Sequence, residues 1–290
     1  MTGAEAIEGS TIVRRLREFA FGEEDFQALR KLVKEVTGIN LTDAKRELVY
    51  ARLARRLRAL NLTSFRDYRK LLKTDGGAEL VQLCNAITTN LTAFFREPHH
   101  FEYLRTHVLG PMVANPPPSR RLRIWSAGCS TGEEPYSIAM TILEAVPDVH
   151  RWDIRILATD LDSNVLACAR QGVYTADRLR HIGDAARERF FQHTAGEQPA
   201  YEASTELKRL VVVKPLNLMN VFPMKGPLDI IFCRNTVIYF DKETQRHLFT
   251  RMSRLQQPGH LLFLGHSETL FRTSSGYTPV GRTIYRRGPT

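Results

Sequence analysis

The residues with the clearest chemical potential lie around four short segments. The first is Ser126-Ala-Gly-Cys-Ser-Thr-Gly-Glu-Glu-Pro135, small residues followed by two adjacent carboxylates, Glu133 and Glu134. Small residues let a backbone approach a ligand closely, and a helix beginning there would aim its N–H groups at it. The spacing is not Gly-x-Gly-x-x-Gly, so a pyrophosphate cofactor is not indicated. Two carboxylates at a helix start would repel phosphate and suit a cationic ligand, although charge capping of the helix explains them equally well. The second segment, Thr159-Asp160-Leu161-Asp162, ends an apolar run with an acid that can accept hydrogen bonds from ribose hydroxyls. Asp162 or Ser163 suits a helix N-cap instead. A small-residue loop followed by this acid fits adenosine. The neighbouring carboxylates add a place for an ammonium or sulfonium, which favours S-adenosylmethionine over NAD. The third segment, Ile230 to Phe240, carries Arg234 and Asn235 where an apolar strand ends, with Tyr239 just beyond. Active-site residues collect at such strand ends. Asn217 follows the Val211–Val213 run in the same way. The fourth segment is upstream, Thr88 to Glu97, and alone reads as a helix end with Phe94 and Phe95 in a core.

The elements that must position these residues fall into two halves. From about residue 23 to 115 the pattern is helical. Phe26, Leu29, Leu32, Val33 and Val36 recur at three- and four-residue spacing, and Gly38 stands where a helix C-cap would. Thr42 precedes a second helix with Leu48, Val49, Leu53, Leu57 and Leu60 on its apolar stripe. Thr63 or Ser64 starts a third, Ala78 a fourth, and Pro98 to Leu109 a fifth. Asn115-Pro-Pro-Pro-Ser119 is a stiff boundary. Beyond it, strands at 122–125, 154–158, 228–233 and 260–264 alternate with helices, which predicts a mainly parallel sheet covered on both faces. Residues 189 to 216 interrupt that rhythm; Val211–Val213 and a turn at Gly196–Pro199 suggest a small antiparallel insert.

Composition bounds the function. The 290 residues are 43% hydrophobic and 25% charged, ordinary for a soluble globular protein, with no apolar run near the roughly 20 residues of a membrane span. Met1 to Ser10 hold acidic residues and no apolar stretch, so no secretory leader is expected. Cys84, Cys129, Cys168 and Cys233 are far apart and read as reduced thiols of a cytoplasmic protein, with no disulfide or metal framework. His99 and His100, adjacent on a helix, make poor metal-ligand spacing. The net charge is +10, and Lys45 to Lys73 holds ten basic residues against Glu47 and Asp67. Such a patch suits an anionic partner or is simply a solvated helix face.

Taken together, TTNLTAFFRE (88–97), RIWSAGCSTGEEPYSIA (123–139), ATDLD (158–162), LNL (216–218), IFCRNTVIYF (231–240) and FLGHSE (263–268) resemble the CheR family of chemotaxis receptor methyltransferases. The resemblance runs from about Phe26 to Arg286. It implies an all-helical N-terminal receptor-docking domain (20–90) and a linker contributing to the cofactor site (91–118). A Rossmann-like α/β methyltransferase domain (119–290) would follow, with the small antiparallel β-subdomain at about 189–216. Asn90, Thr92, Arg96, Glu134 (or Glu133), Asp160, Asn217, Leu218, Arg234 and Asn235 would touch S-adenosylmethionine, with S-adenosylhomocysteine as product. Arg96 and Tyr239 would lie nearest the transferred methyl. Arg52, Arg55, Arg56 and Arg58 would form the docking surface for the cytoplasmic helical domain of methyl-accepting chemotaxis receptors, whose glutamate side chains become methyl esters.

Insert residues 190 to 213 match the family little, which leaves open a receptor C-terminal peptide as a partner of the β-subdomain. A monomer is expected, with no metal, nucleic acid or membrane insertion. Two other readings are an RNA methyltransferase, which the basic helices would suit but which the Cys233-Arg-Asn-Thr236 stretch does not favour, and a receptor-binding adapter without activity.

Overall fold

The computed structural model describes residues 17–194, 199–270 and 276–289. Four helices build the first half: α1 (Glu23–Thr37), α2 (Arg46–Ala59), α3 (Phe65–Thr74) and α4 (Ala78–Ile87). α1 buries Phe26, Leu29 and Val33, the predicted stripe, and ends at Gly38 in the left-handed region (φ 75°). A Cβ there would also meet the Met219 sulfur at 2.5 Å, so the glycine permits both the cap and a close approach to the second half. Ser64 caps α3 by accepting the Asp67 N–H at 3.1 Å. The core of this half gathers Phe26, Leu53, Leu57, Phe65, Tyr68 and Leu83.

The chain then runs through α5 (His99–Tyr103), a π turn (Leu104–Leu109) and α6 (Gly110–Ala114) into the sheet domain. The predicted fifth helix thus extends five residues further, up to the proline boundary. The sheet elements are β1 (Arg121–Ala127), α7 (Glu133–Ala145), β2 (Asp153–Asp160), α8 (Ser163–Gln171), β3 (Val173–Thr175), α9 (Asp184–Phe190), β4 (Phe191–Thr194), β5 (Ala200–Ala203), α10 (Thr205–Leu210), β6 (Val211–Pro215), β7 (Ile230–Cys233), α11 (Lys242–Ser253), β8 (Leu261–Leu264), β9 (Tyr277–Gly281) and β10 (Ile284–Arg287). Seven strands form the main sheet in the order β6-β2-β1-β7-β8-β10-β9. The first five are parallel, and β10 and β9 add an antiparallel hairpin at one edge. Alternate side chains go to opposite faces. Ile124, Phe232 and Phe263 pack with α7 residues such as Ile138 and Ile142, whereas Trp125, Ile231 and Leu262 pack with Leu248, Phe249 and Met252 of α11.

Two expectations need correction. The small antiparallel sheet exists, in the order β3-β5-β4, but spans 173–203 and not 189–216. Val211–Val213 belongs to β6, a parallel edge strand of the main sheet, registered Ile156 to Val211 through Asp160 to Pro215. A run of β-branched residues marks a strand without saying which sheet takes it. The turn expected at Gly196–Pro199 falls mostly outside the described residues. The C-terminal hairpin was not foreseen, because its strands are four and five residues long and interrupted by Pro279 and Gly281.

The two halves are bonded to each other. Asn40 N–H donates to the Tyr239 carbonyl (2.8 Å), Ile39 bridges Phe240, Asn217 Nδ2 donates to the Val36 carbonyl (2.6 Å) and Lys34 pairs with Asp241 (2.8 Å). Within the helical half, Arg56 Nε and Nη2 grip Glu79 at 2.7 and 2.6 Å, and Tyr68 OH adds a third bond to that carboxylate at 2.9 Å. Glu79 is only 4% exposed. Removing one partner of a buried pair leaves the other charge uncompensated, a cost of about 3–5 kcal/mol when both are buried. Arg56 is partly exposed, so Arg56→Ala should cost about 2–3 kcal/mol in urea unfolding. Arg55→Ala, on an exposed side chain, should stay within about 0.5 kcal/mol.

Candidate active site

The C-terminal ends of β1, β2, β6 and β7 open into one cleft of about 1160 Å³, part of it open to solvent. This is the edge where open parallel sheets bind ligands. The loop after β1 supplies its floor through Gly128 and Ser130, β2 supplies Asp160, and β7 supplies Arg234 and Asn235. The roof comes from the helical half, with Ile39, Lys45, Leu48 and Arg52, and from the 88–96 segment. Gly128 has φ 92°, and a Cβ there would stand 2.3 Å from Thr236 Oγ1, so the loop can turn this tightly only with glycine.

Two carboxylates face the cleft. Asp160 accepts the Ser130 N–H at 2.9 Å and the Asp162 N–H at 3.0 Å. Glu134 accepts Ser126 Oγ–H at 2.7 Å and Arg234 Nη1–H at 3.0 Å. Burial pushes both carboxyls above their usual range, and the N–H donors to Asp160 and the Arg234 guanidinium beside Glu134 oppose that shift. A cationic group in the cleft would stabilise Glu134 in its charged form. Glu133, the other reading for this contact, is not on the cleft. It is fully buried, accepts Thr131 Oγ1–H at 2.6 Å and pairs with Arg178 at 2.5 Å. Consecutive residues on a helix point about 100° apart, so only one of the pair can face the ligand. Arg178, which follows β3, had no local sequence signal.

Arg234 lines the cleft, yet its side chain is 1% exposed and both of its terminal nitrogens are engaged, while the buried Nε has no partner among the described residues. It bonds Glu134 and the Arg96 carbonyl and lies 3.4 Å from Glu97. It is therefore placed to orient the groups around it. Burial alone would raise the Glu97 carboxyl, but the His266 ring and amide N–H and the Arg234 guanidinium hold it near 2. His266 Nδ1 stands 2.8 Å from Glu97 Oε1, a structural bond at the sheet's ligand end. Burial, and then the Arg234 charge, drop His100 to about 3, so its ring is neutral at pH 7. Glu97, His99 and His100 bring one ligand-type atom each within 4.8 Å of one another. The guanidinium already supplies the positive charge beside that carboxylate.

The remaining expected residues divide by what they touch. Asn90 lines the cleft, but its Nδ2 donates to Asp162 at 2.7 Å and its carbonyl accepts Ser130 Oγ–H at 2.9 Å, tying the 88–96 segment to the loop after β1. Asp162 itself is the N-cap of α8, as expected. Thr92 and Leu218 line the cleft, and Arg96 does so while its Nη1 donates to the Leu91 carbonyl at 2.8 Å. Asn217 lines it too, with its amide used in the bond to Val36 and its Oδ1 accepting Met219 N–H at 2.9 Å. Asn235 sits at φ 56° with Nδ2 3.4 Å from Glu97. Tyr239 faces the cleft with Lys45 Nζ 4.8 Å above its ring, a cation–π contact that the sequence did not suggest. Cys129 and Cys233 are buried packing residues.

The four arginines of α2 do not act alike. Arg52 lies on the cleft and donates to the carbonyls of Ala86, Ile87 and Thr88 at the end of α4. Arg56 holds Glu79. Arg58 pairs with Glu18 at 2.9 Å, both well exposed. Arg55 is exposed and unpaired among the described residues. Only the last two present charge outward.

Residues 24–88 match the model for the all-alpha domain of CheR methyltransferases, and residues 90–285 match their SAM-binding domain. Chemotaxis protein methyltransferase 2 of Pseudomonas aeruginosa is 44% identical over 271 residues, covering 93% of this chain and 95% of that protein. The probable chemotaxis protein methyltransferase of Rhizobium etli is 42% identical over 252 residues, 86% of this chain and 94% of that one. The chemotaxis protein methyltransferase of Escherichia coli is 39% identical over 280 residues, 95% of each. Two carboxylates facing one cleft at the C-terminal rim of a parallel sheet fit the ribose and the cationic end of S-adenosylmethionine. The chain belongs to the CheR family of S-adenosylmethionine-dependent chemotaxis methyltransferases.

Proposed function

We propose that this cleft esterifies glutamate side chains of methyl-accepting chemotaxis receptors, with Asp160 holding the ribose and Glu134 the amino end of the cofactor. The observation that carries the reading is the pairing of these carboxylates with Arg96 and Tyr239 on one cleft. When bound, S-adenosylmethionine supplies a methyl group on an already activated sulfonium. A glutamate carboxylate, with a reference pKa of about 4.3, is ionised at neutral pH and needs no base. What the chain must do is place that oxygen about 3 Å from the methyl and in line with the departing sulfur. Arg96 and the Tyr239 hydroxyl orient the carboxylate. Binding it too strongly would quench the nucleophile, so their contribution is position rather than proton transfer. Thr92, Leu218 and Asn235 complete the cofactor walls, and Asn90, Asn217 and Arg234 hold those walls in place.

The receptor partner is its cytoplasmic helical domain, whose methylation helices are glutamate-rich. The outward charges of α2 would steer that surface towards the cleft. Exposed Leu48 and Leu91, both on the cleft, offer apolar contact beside it. Among the described residues β3 and β4 each pair with a strand on one side only, an arrangement that suits an extended receptor C-terminal peptide. The protein acts as a cytoplasmic monomer in this reading, and among the described residues no helix is long and apolar enough to cross a membrane.

With tritiated cofactor and receptor, the wild-type chain should yield label that alkali releases as methanol, the mark of a carboxyl ester. Tyr239→Phe and Arg96→Ala should each lower kcat about 10- to 100-fold, as misplacement by about 1 Å does. Alkali-stable label, or wild-type rates in both variants, contradicts the roles given. The docking face is tested with Arg55→Glu and Arg58→Glu together, because Arg56 is occupied in holding Glu79. That variant should raise KM for receptor, more steeply at low salt, and leave S-adenosylhomocysteine affinity unchanged by calorimetry. Loss of cofactor affinity would place these side chains elsewhere in the mechanism.

A further inference from the structure

Glu268 is a buried carboxylate to which the reaction assigns no role. It is 4% exposed and no lysine, arginine or histidine pairs with it among the described residues. An isolated buried charge is costly unless several donors replace its water. Here four backbone amides do so. Oε2 accepts Gly265 N–H at 2.6 Å and Asn235 N–H at 2.8 Å, and Oε1 accepts Val237 N–H at 2.8 Å and Ile238 N–H at 3.2 Å. Three of these four amides belong to the turn that carries Asn235 and leads into Tyr239.

The same turn is gripped from the other side. Gln245 of α11, itself 7% exposed, donates Nε2–H to the Val237 carbonyl at 2.8 Å and to the Phe240 carbonyl at 3.0 Å. The Tyr239 carbonyl accepts the Asn40 N–H from the helical half. Amides and carbonyls of residues 235 to 240 are thus claimed by groups from three different elements. A non-glycine residue in the left-handed region, Asn235 at φ 56°, persists where its surroundings over-determine it. Gly265 completes the clasp: a Cβ there would stand 2.8 Å from Asn235 N and 2.9 Å from Glu268 Oε2.

We propose that Glu268 is a positioning residue for methyl transfer: its carboxylate gathers the amides of Asn235, Val237 and Ile238 and so fixes the Asn235 side chain and the Tyr239 hydroxyl over the cleft. This rests on the methyltransfer reading above, in which Asn235 and Tyr239 face cofactor and substrate. A purely structural carboxylate would alter the unfolding temperature and the active fraction. A positioning one also alters the turnover of each folded site.

The test is Glu268→Gln, which keeps the shape but turns an amide –NH₂ towards backbone donors. Its kcat is measured per S-adenosylhomocysteine-titrated site, well below its unfolding temperature. The expected result is a fall in kcat of about 10- to 100-fold and a several-fold weaker S-adenosylhomocysteine Kd, with native circular dichroism. A folded variant with kcat and Kd within twofold of wild type overturns the proposal. Should Glu268→Gln fail to fold, Gln245→Leu loosens the same turn from its carbonyl side. A fall in kcat there supports the proposal, and an unchanged kcat overturns it. If wild-type chain gives no base-labile receptor label, the functional reading fails instead, and the Kd comparison still decides whether Glu268 fixes the cofactor wall.

Discussion

The site depends on one buried guanidinium. Arg234 leaves the end of β7 with a side chain that is 1% exposed and joins two segments distant in sequence: Glu134 at the start of α7, and the linker through both the Arg96 carbonyl and Glu97. A lone buried cation would be intolerable, and so would two buried carboxylates without it. Each charge is kept in place by the others. The result is geometric as much as energetic, because the planar fork fixes its partners' directions. Glu134 is thereby held on the cleft wall with an excess of negative charge nearby, the field a sulfonium or ammonium needs.

The second constraint is that neither half of the chain makes the cleft alone. Its floor is the C-terminal rim of the sheet and its roof is α2 and the chain after α1. Of the bonds that close it, Asn40 to Tyr239 and Lys34 to Asp241 fall at or close to Tyr239, and Asn217 to Val36 falls on the cleft lining. The helical half thus shapes the pocket into which, on the proposed reading, a receptor carboxylate would enter. Within α2, Arg52 lies on the cleft while Arg55 and Arg58 face outward.

Much of this was legible in the sequence. Period-3.6 stripes marked α1 and α2, the proline run marked where the helices stop before β1, and the strand ends at Asp160 and Arg234 pointed to one rim. Hydrophobic period could not tell which sheet would take Val211–Val213, because edge strands of either sheet use the same residues. Nor could it show that Glu133 turns inward to Arg178 while Glu134 faces the cleft, since adjacent acids look alike until the helix phase is known. The roles of Arg56 and Arg234 were hidden for a related reason. A basic residue in a sequence carries no sign of whether its partner is solvent, receptor or a buried acid 23 or 100 positions away. Glu97 and Glu268 lay inside recognisable segments, but their work is to hold backbone and neighbouring charge in place, which no spacing announces.

The most direct test of this account is calorimetric titration of S-adenosylhomocysteine into Arg234→Met, with the folded fraction checked by circular dichroism. The side chain's volume is roughly kept while its charge and hydrogen bonds are lost. If Arg234 holds Glu134 charged and aimed at the cleft, affinity should fall at least about tenfold, equivalent to about 1.4 kcal/mol, and should recover in part as pH rises and Glu134 ionises. A folded variant that binds with wild-type affinity at pH 7 would contradict it.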